Sequence, residues 1–113
     1  MLMQDGGRTA SDSPDAYVVH IGERATRLAV SVAENLRDAG LAIVVHAGGG
    51  NIGSQMRRAD ASGARFALIV GEDEVAANVV AVKPLRDPGE QVALPPGELA
   101  MRIAPALHGA KHL

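Results

Sequence analysis

At 113 residues the chain makes one small domain, and with one Phe, one Tyr and no Trp its core must be aliphatic, which excludes a broad aromatic platform for stacking bases. It has no Cys, so a disulfide frame, a thiol nucleophile and a thiolate metal site are excluded, in keeping with a reducing cytoplasm. The formal net charge of −2 sits entirely in residues 1–15, where Arg8 stands against Asp5, Asp12 and Asp15; a strongly basic nucleic-acid module is excluded, and any RNA binding must use local shape and specific edges.

Two of the eleven cationic residues are Lys and the rest Arg, which stacks and makes forked hydrogen bonds. No apolar run reaches the ~18 residues of a membrane span, and no signal-peptide pattern opens the chain. No membrane partner is expected.

Residues 1–15 (MLMQDGGRTASDSPD) are polar, Gly/Ser-rich and close on Pro14, the composition of a linker. Residues 17–21 form a short apolar strand. A helix follows, with Ala25, Leu28, Ala29, Val32, Ala33 and Leu36 at the spacing of one buried face, and Gly40 supplies a left-handed stop. Residues 41–45 form a second strand, apolar on both faces as a central or parallel strand is. A shorter helix spans residues 52–62, with Ile52, Met56 and Ala59 inward, Gln55, Arg57 and Arg58 outward, and Gly63 as its stop. Strands are expected at residues 66–70, 79–83 and, more weakly, 90–94. Pro96 opens a last helix, with Leu99, Ile103 and Leu107 facing in.

Strand–helix–strand–helix–strand implies parallel pairing. The connection from Val70 to Val79 is too short for another crossover helix of normal size, so the fourth strand is expected to run antiparallel to a neighbour. The predicted fold is α/β: a mixed five-stranded sheet, three strands parallel and the others antiparallel, with three helices. Ligands in such folds bind at the C-terminal strand ends. The turns after Ile21, His46 and Val70 lie there, and they are the most polar, glycine-marked turns of the chain.

Gly48, Gly50 and Gly53 satisfy G-x-G-x-x-G between a strand and a helix, with Glu72 about 20 residues on, which is a dinucleotide fingerprint. Against it, the pattern follows the second strand, its helix is short, and the chain lacks length for two mononucleotide halves. A nucleotide turn, an RNA-contacting turn and a close-packing turn are the three readings. Asn51 suits the N-cap of the second helix, with Ser54 in competition. Glu72, Asp73 and Glu74 cluster at a strand end. Carboxylates there could serve acid–base chemistry, bind Mg²⁺, accept hydrogen bonds from guanine or cytosine, or form a solvated turn in which Glu74 opens a helical turn. Glu23 sits at a helix N-terminus, where the dipole favours a carboxylate and where it could face a base. His20 and His46 end neighbouring strands, but two imidazoles alone make a poor metal site. His108 and His112 fall in a tail.

The motifs GGGN (Gly48, Gly49, Gly50, Asn51), RAD (Arg58 to Asp60), GAR (Gly63 to Arg65), GEDE (Gly71 to Glu74) and GEQ (Gly89 to Gln91) occur in that order. In this the segment resembles the C-terminal anticodon-binding domain of bacterial histidyl-tRNA synthetases, over about residues 16–107. The resemblance implies a parent enzyme, cytoplasmic and homodimeric, that activates histidine with ATP and Mg²⁺ and charges its tRNA. The catalytic motifs would lie upstream, so this chain would not catalyse and would need no cofactor of its own. Residues 1–3 (Met-Leu-Met) then look like either an ordinary start or the stub of an upstream catalytic helix, residues 1–15 like the linker, and residues 108–113 like a flexible tail. The implied partners are histidine tRNA and the catalytic domain. The residues implied at the anticodon are Glu23, Gly48, Gly49, Gly50, Asn51, Gln55, Arg58, Glu72, Glu74 and Lys83. Glu74 and Lys83 are drawn from the related threonyl family, where a G-x-x-E turn is followed nine residues later by a cation. Gly53 and Ser54 depart from the family, which often has two lysines there. The rival readings are a small nucleotide-binding module and a protein-interaction domain.

Overall fold

The computed structural model describes residues 13–104. Its first strand, β1 (Ala16–His20), is buried on both sides from Ala16 to Val19. A strand with no polar face belongs inside a sheet covered on both faces, and β1 lies there. It is flanked by β2 (Ile43–Val45) and β3 (Phe66–Val70), both parallel to it. β4 (Val80–Pro84) runs antiparallel to β3, and β5 (Val92–Leu94) antiparallel to β4. The order is β2-β1-β3-β4-β5, the mixed sheet that the sequence predicts. β2 is an edge strand, and Val44 is exposed. Its continuous apolar run therefore reflects parallel pairing and not a central place.

Alternation along the strands sends side chains to two layers. Ala16, Val18, Leu68, Val70, Val80 and Val82 face one side, where α1 (Glu23–Asp38) lays down Ala25, Ala29, Val32, Ala33 and Leu36. Helix α1 ends before Gly40, whose φ of 96° lets the next amide turn back, so that Leu41 N–H reaches Leu36 O at 3.1 Å. Tyr17, Val19 and Ala67 face the other side, where α2 (Ile52–Ala61) packs through Ala59. A 3₁₀ turn (Pro96–Glu98) leads into α4 (Leu99–Ile103), which returns Leu99 and Ile103 to the first layer.

Four helices stand among the described residues where the sequence predicts three. The addition is α3 (Glu72–Ala77), one short helix in the β3–β4 connection with no fully buried residue. It ends on Asn78 in the left-handed region, φ 57°. The short connection excludes a crossover helix but has room for this piece, which joins adjacent antiparallel strands.

The end of the expected linker belongs to the fold. Pro14 is buried, and Asp15 knits the starts of three strands together. Its N–H donates to Ala42 O (2.8 Å), its carboxylate accepts from Ala42 N–H (2.8 Å), and its carbonyl accepts from Phe66 N–H (3.2 Å). The rest of that linker, with Met-Leu-Met at its start, Leu107 and the tail with His108 and His112 lie outside the described residues.

Candidate nucleic-acid interface

Three parallel strands deliver their C-terminal ends to one edge of the sheet, so the turns after β1, β2 and β3 meet. Ile21 N–H donates to Val70 O (3.2 Å), which ties the first turn to the third. Gly22 has φ 103°, and a Cβ there would collide with the Glu72 carboxylate. Glu72 thus rests on the backbone of the β1–α1 turn. Glu23, the first residue of α1, and Glu72, the first of α3, are both exposed at this junction. Each carboxylate lies where a helix dipole favours it.

The second turn is built differently. Gly48, Gly49 and Gly50 have φ of 103°, 72° and 98°, a run that L side chains rarely adopt. Its carbonyls are held by side chains. His20 Nε2 donates to His46 O (2.8 Å), His46 Nε2 to Gly49 O (2.7 Å), and Gln55 Nε2 to Gly50 O (2.8 Å). Asn51 O accepts from Gln55 N–H and from Ser54 Oγ, both at 3.1 Å. The N–H groups of Gly48, Gly49 and Gly50 donate to no other described residue, and all three glycines are exposed. The turn therefore ties two of its three glycine carbonyls to the protein and leaves its glycine donors with no described partner. Asn51 caps α2 just below, its Oδ1 accepting from Ser54 N–H at 2.8 Å. A donor-rich turn above a helix N-terminus suits a phosphate oxygen or the acceptor edge of a base.

The two histidines are structural. A carbonyl can only accept, so both His20 Nε2 and His46 Nε2 carry hydrogen. His46 is buried, and its Nδ1 meets the Tyr17 hydroxyl at 2.8 Å. His20 Nδ1 meets Thr26 Oγ1 at 2.8 Å. The rings are close, as the sequence predicts, with centroids 6.4 Å apart. Every ring nitrogen is taken, and the described residues hold no group of three His or carboxylate side chains fit for a metal.

One sequence expectation needs correction. Gln55 does not project outward; its exposure is 0%. Residues 52, 55, 56 and 59 share one helical stripe, i, i+3, i+4, i+7, so the spacing places it inward although its polarity suggests the reverse. Glu74 opens a helical turn, one of the readings offered for the acidic cluster, with the oxygen nearest the backbone. That Oε1 accepts from Gly71 N–H (2.8 Å) and closes the start of α3. Lys83 stands apart from Glu74. β4 runs back along β3, pairing Lys83 with Ala67, so it stands four residues short of Gly71, on the order of 13 Å along the strand. It lines a cleft of about 440 Å³ with Met56, Arg57, Asp60, Ala61 and Leu85.

Arg58 is exposed on α2. Asp60 pairs with Arg86, whose Nη2 also donates to Asp60 O at 3.0 Å. Both side chains are largely exposed, so this pair adds under about 1 kcal/mol. The dinucleotide fingerprint loses support. It follows an edge strand, and its third glycine, Gly53, has no positive φ and has room for a Cβ, 3.4 Å from Asn51 Oδ1.

Known proteins share this arrangement. A family described as "Anticodon binding domain" matches residues 15–104. The histidine–tRNA ligase of Methylobacillus flagellatus is 54% identical over 91 residues, which are 80% of this chain and 22% of that protein. The crystal structure of histidyl-tRNA synthetase from Nostoc sp. superposes with a TM-score of 0.76 at 33% identity, over 84% of this chain and 23% of that one. The RNA binding domain of threonyl-tRNA synthetase from Cryptosporidium parvum superposes with a TM-score of 0.75 over 81% of this chain and 23% of that one; at 21% identity it shares the fold alone. The chain thus spans less than a quarter of the length of these relatives. With the match running from Asp15 through the last described residue, the chain belongs to the anticodon-binding-domain family.

Proposed function

We propose that this chain reads the anticodon of histidine tRNA as the anticodon-binding domain of a histidine–tRNA ligase. The observation that carries the reading is the glycine turn, with the Gly49 and Gly50 carbonyls fastened inward and the N–H groups of Gly48, Gly49 and Gly50 without a partner among the described residues. The free donors take a backbone phosphate or a base edge of the anticodon loop. Glu23 and Glu72, beside it, accept from amino and imino groups that only some bases carry. Single-stranded loops expose such edges, and the near-neutral charge of the folded part makes shape and edges decisive over bulk phosphate attraction. Arg58, and Lys83 from its cleft, supply the local cationic contacts.

The whole enzyme would activate histidine with ATP and Mg²⁺ in an upstream catalytic domain and act as a cytoplasmic homodimer. This domain would bind no cofactor and would hold the tRNA so that its acceptor end reaches that site. No helix among the described residues is long and apolar enough to cross a membrane.

Fluorescence anisotropy with labelled anticodon stem-loops tests the reading. The histidine anticodon stem-loop is expected to bind, and changing its anticodon bases is expected to weaken binding roughly tenfold or more, because donors and acceptors are then left unpaired. Equal affinity for all loops contradicts it.

A further inference from the structure

We propose that Gln55 is a positioning residue of this interface: it never touches RNA, and its amide holds the glycine turn in the shape that presents free N–H groups. The inference rests on reading the strand-end turns as an RNA interface. Along β1, Val18 and His20 direct their peptide groups toward β2; Val18 O accepts from His46 N–H at 2.9 Å. Past that point the chain leaves β2 for the glycine turn, and His20 has no strand partner on that side. The Gln55 amide takes the empty place. Its Oε1 accepts from His20 N–H at 2.9 Å, and its Nε2 donates to His20 O at 2.9 Å, as a neighbouring peptide would. Its second N–H donates to Gly50 O at 2.8 Å. One side chain thus extends the sheet by a rung and fastens the turn to that rung.

The requirement is narrow. Two donors and an acceptor are all used, with no exposed surface. Glutamate keeps the acceptor and loses both donors; methionine keeps the length and loses all three. Without the fastening to Gly50, a turn of three consecutive glycines regains its wide conformational range, and the ordering must be supplied when RNA binds. A site held by a buried hydrogen-bonding shell is one that loosens when that shell is cut.

The test uses the 113-residue chain, isotopically labelled, titrated with the histidine anticodon stem-loop. For Gln55→Met, folded by its amide spectrum, affinity is expected to fall about tenfold. RNA-induced shifts at residues 48–51 should vanish while those at residues 72–74 persist. A purely structural defect would weaken both turns together. A folded Gln55→Met chain with wild-type affinity, or with both turns equally weakened, overturns the proposal. If Gln55→Met does not fold, the wild-type side-chain amide decides. Slow solvent exchange of its two hydrogens in both the free and the bound chain supports positioning; fast exchange, or cross-peaks to RNA, overturns it. A wild-type chain that responds to no stem-loop sinks the RNA reading itself, and the positioning role with it.

Discussion

Leu68→Ala is expected to lower the free energy of unfolding by about 2–5 kcal/mol. Leu68 is the middle residue of β3, with Val18 of β1 and Val82 of β4 opposite it in register. It has 0% exposure and is among the largest fully buried side chains. The residues around it are mostly Ala and Val, anchored in strands and in α1, so little can move to fill the gap. The cost should fall in the upper part of that range, since a cavity that stays open adds to the lost transfer energy. A domain of this size has roughly 5–15 kcal/mol to lose. Urea unfolding should show a lowered midpoint at unchanged slope. A loss under about 1 kcal/mol would mean that the layer under α1 repacks and is not the core described.

Gly48→Val should separate binding from folding. At φ 103° a β-branched residue is strongly disfavoured, yet a Cβ there meets nothing within 4 Å. The cost therefore comes from backbone strain of about 1–3 kcal/mol, relieved if the turn reshapes. Reshaping displaces the Gly49 and Gly50 carbonyls from His46 and Gln55 and re-aims the free N–H groups. Stem-loop affinity is expected to drop tenfold or more, roughly, while the chain stays folded at room temperature. Gly49→Asn is the control. Its φ of 72° is near the left-handed region that Asn tolerates, and the space around it is open, so the turn should keep its shape and its stability. If Gly48→Val binds as well as wild type, the turn is not where RNA is held.

Much of this fold is legible in apolar spacing. The face of α1, the strand at residues 66–70, the fourth strand (expected at 79–83, found at 80–84) and the antiparallel return after residue 70 all follow from period and connection length. The sequence says less where one pattern serves two causes. The apolar run of β2 reads alike for an edge parallel strand and for a central one. Asp15 reads as linker by composition, because a carboxylate that bonds backbone leaves no trace in hydropathy. Gln55 is the instructive case. Its spacing says buried and its polarity says exposed, and spacing prevails because His20, 35 residues away, offers both halves of a peptide to bond. Glu74 and Lys83 are separated because nine residues include a reversal of chain direction. The candidate turns themselves are visible as glycines and acids at strand ends. Which turn atoms stay free is not visible, since that depends on side chains from distant segments.

The proposed interface makes the three strand-end turns one RNA-binding edge. The most direct measurement is an amide chemical-shift titration of the wild-type labelled chain with the histidine anticodon stem-loop and with the same stem-loop carrying another anticodon. Shifts confined to residues 22–23, 48–51 and 71–74, with lesser ones near Arg58, and lost on changing the anticodon, are the predicted result. Shifts that are diffuse, or that ignore the anticodon, or that center on the Lys83 cleft and leave the three turns unmoved, would contradict it.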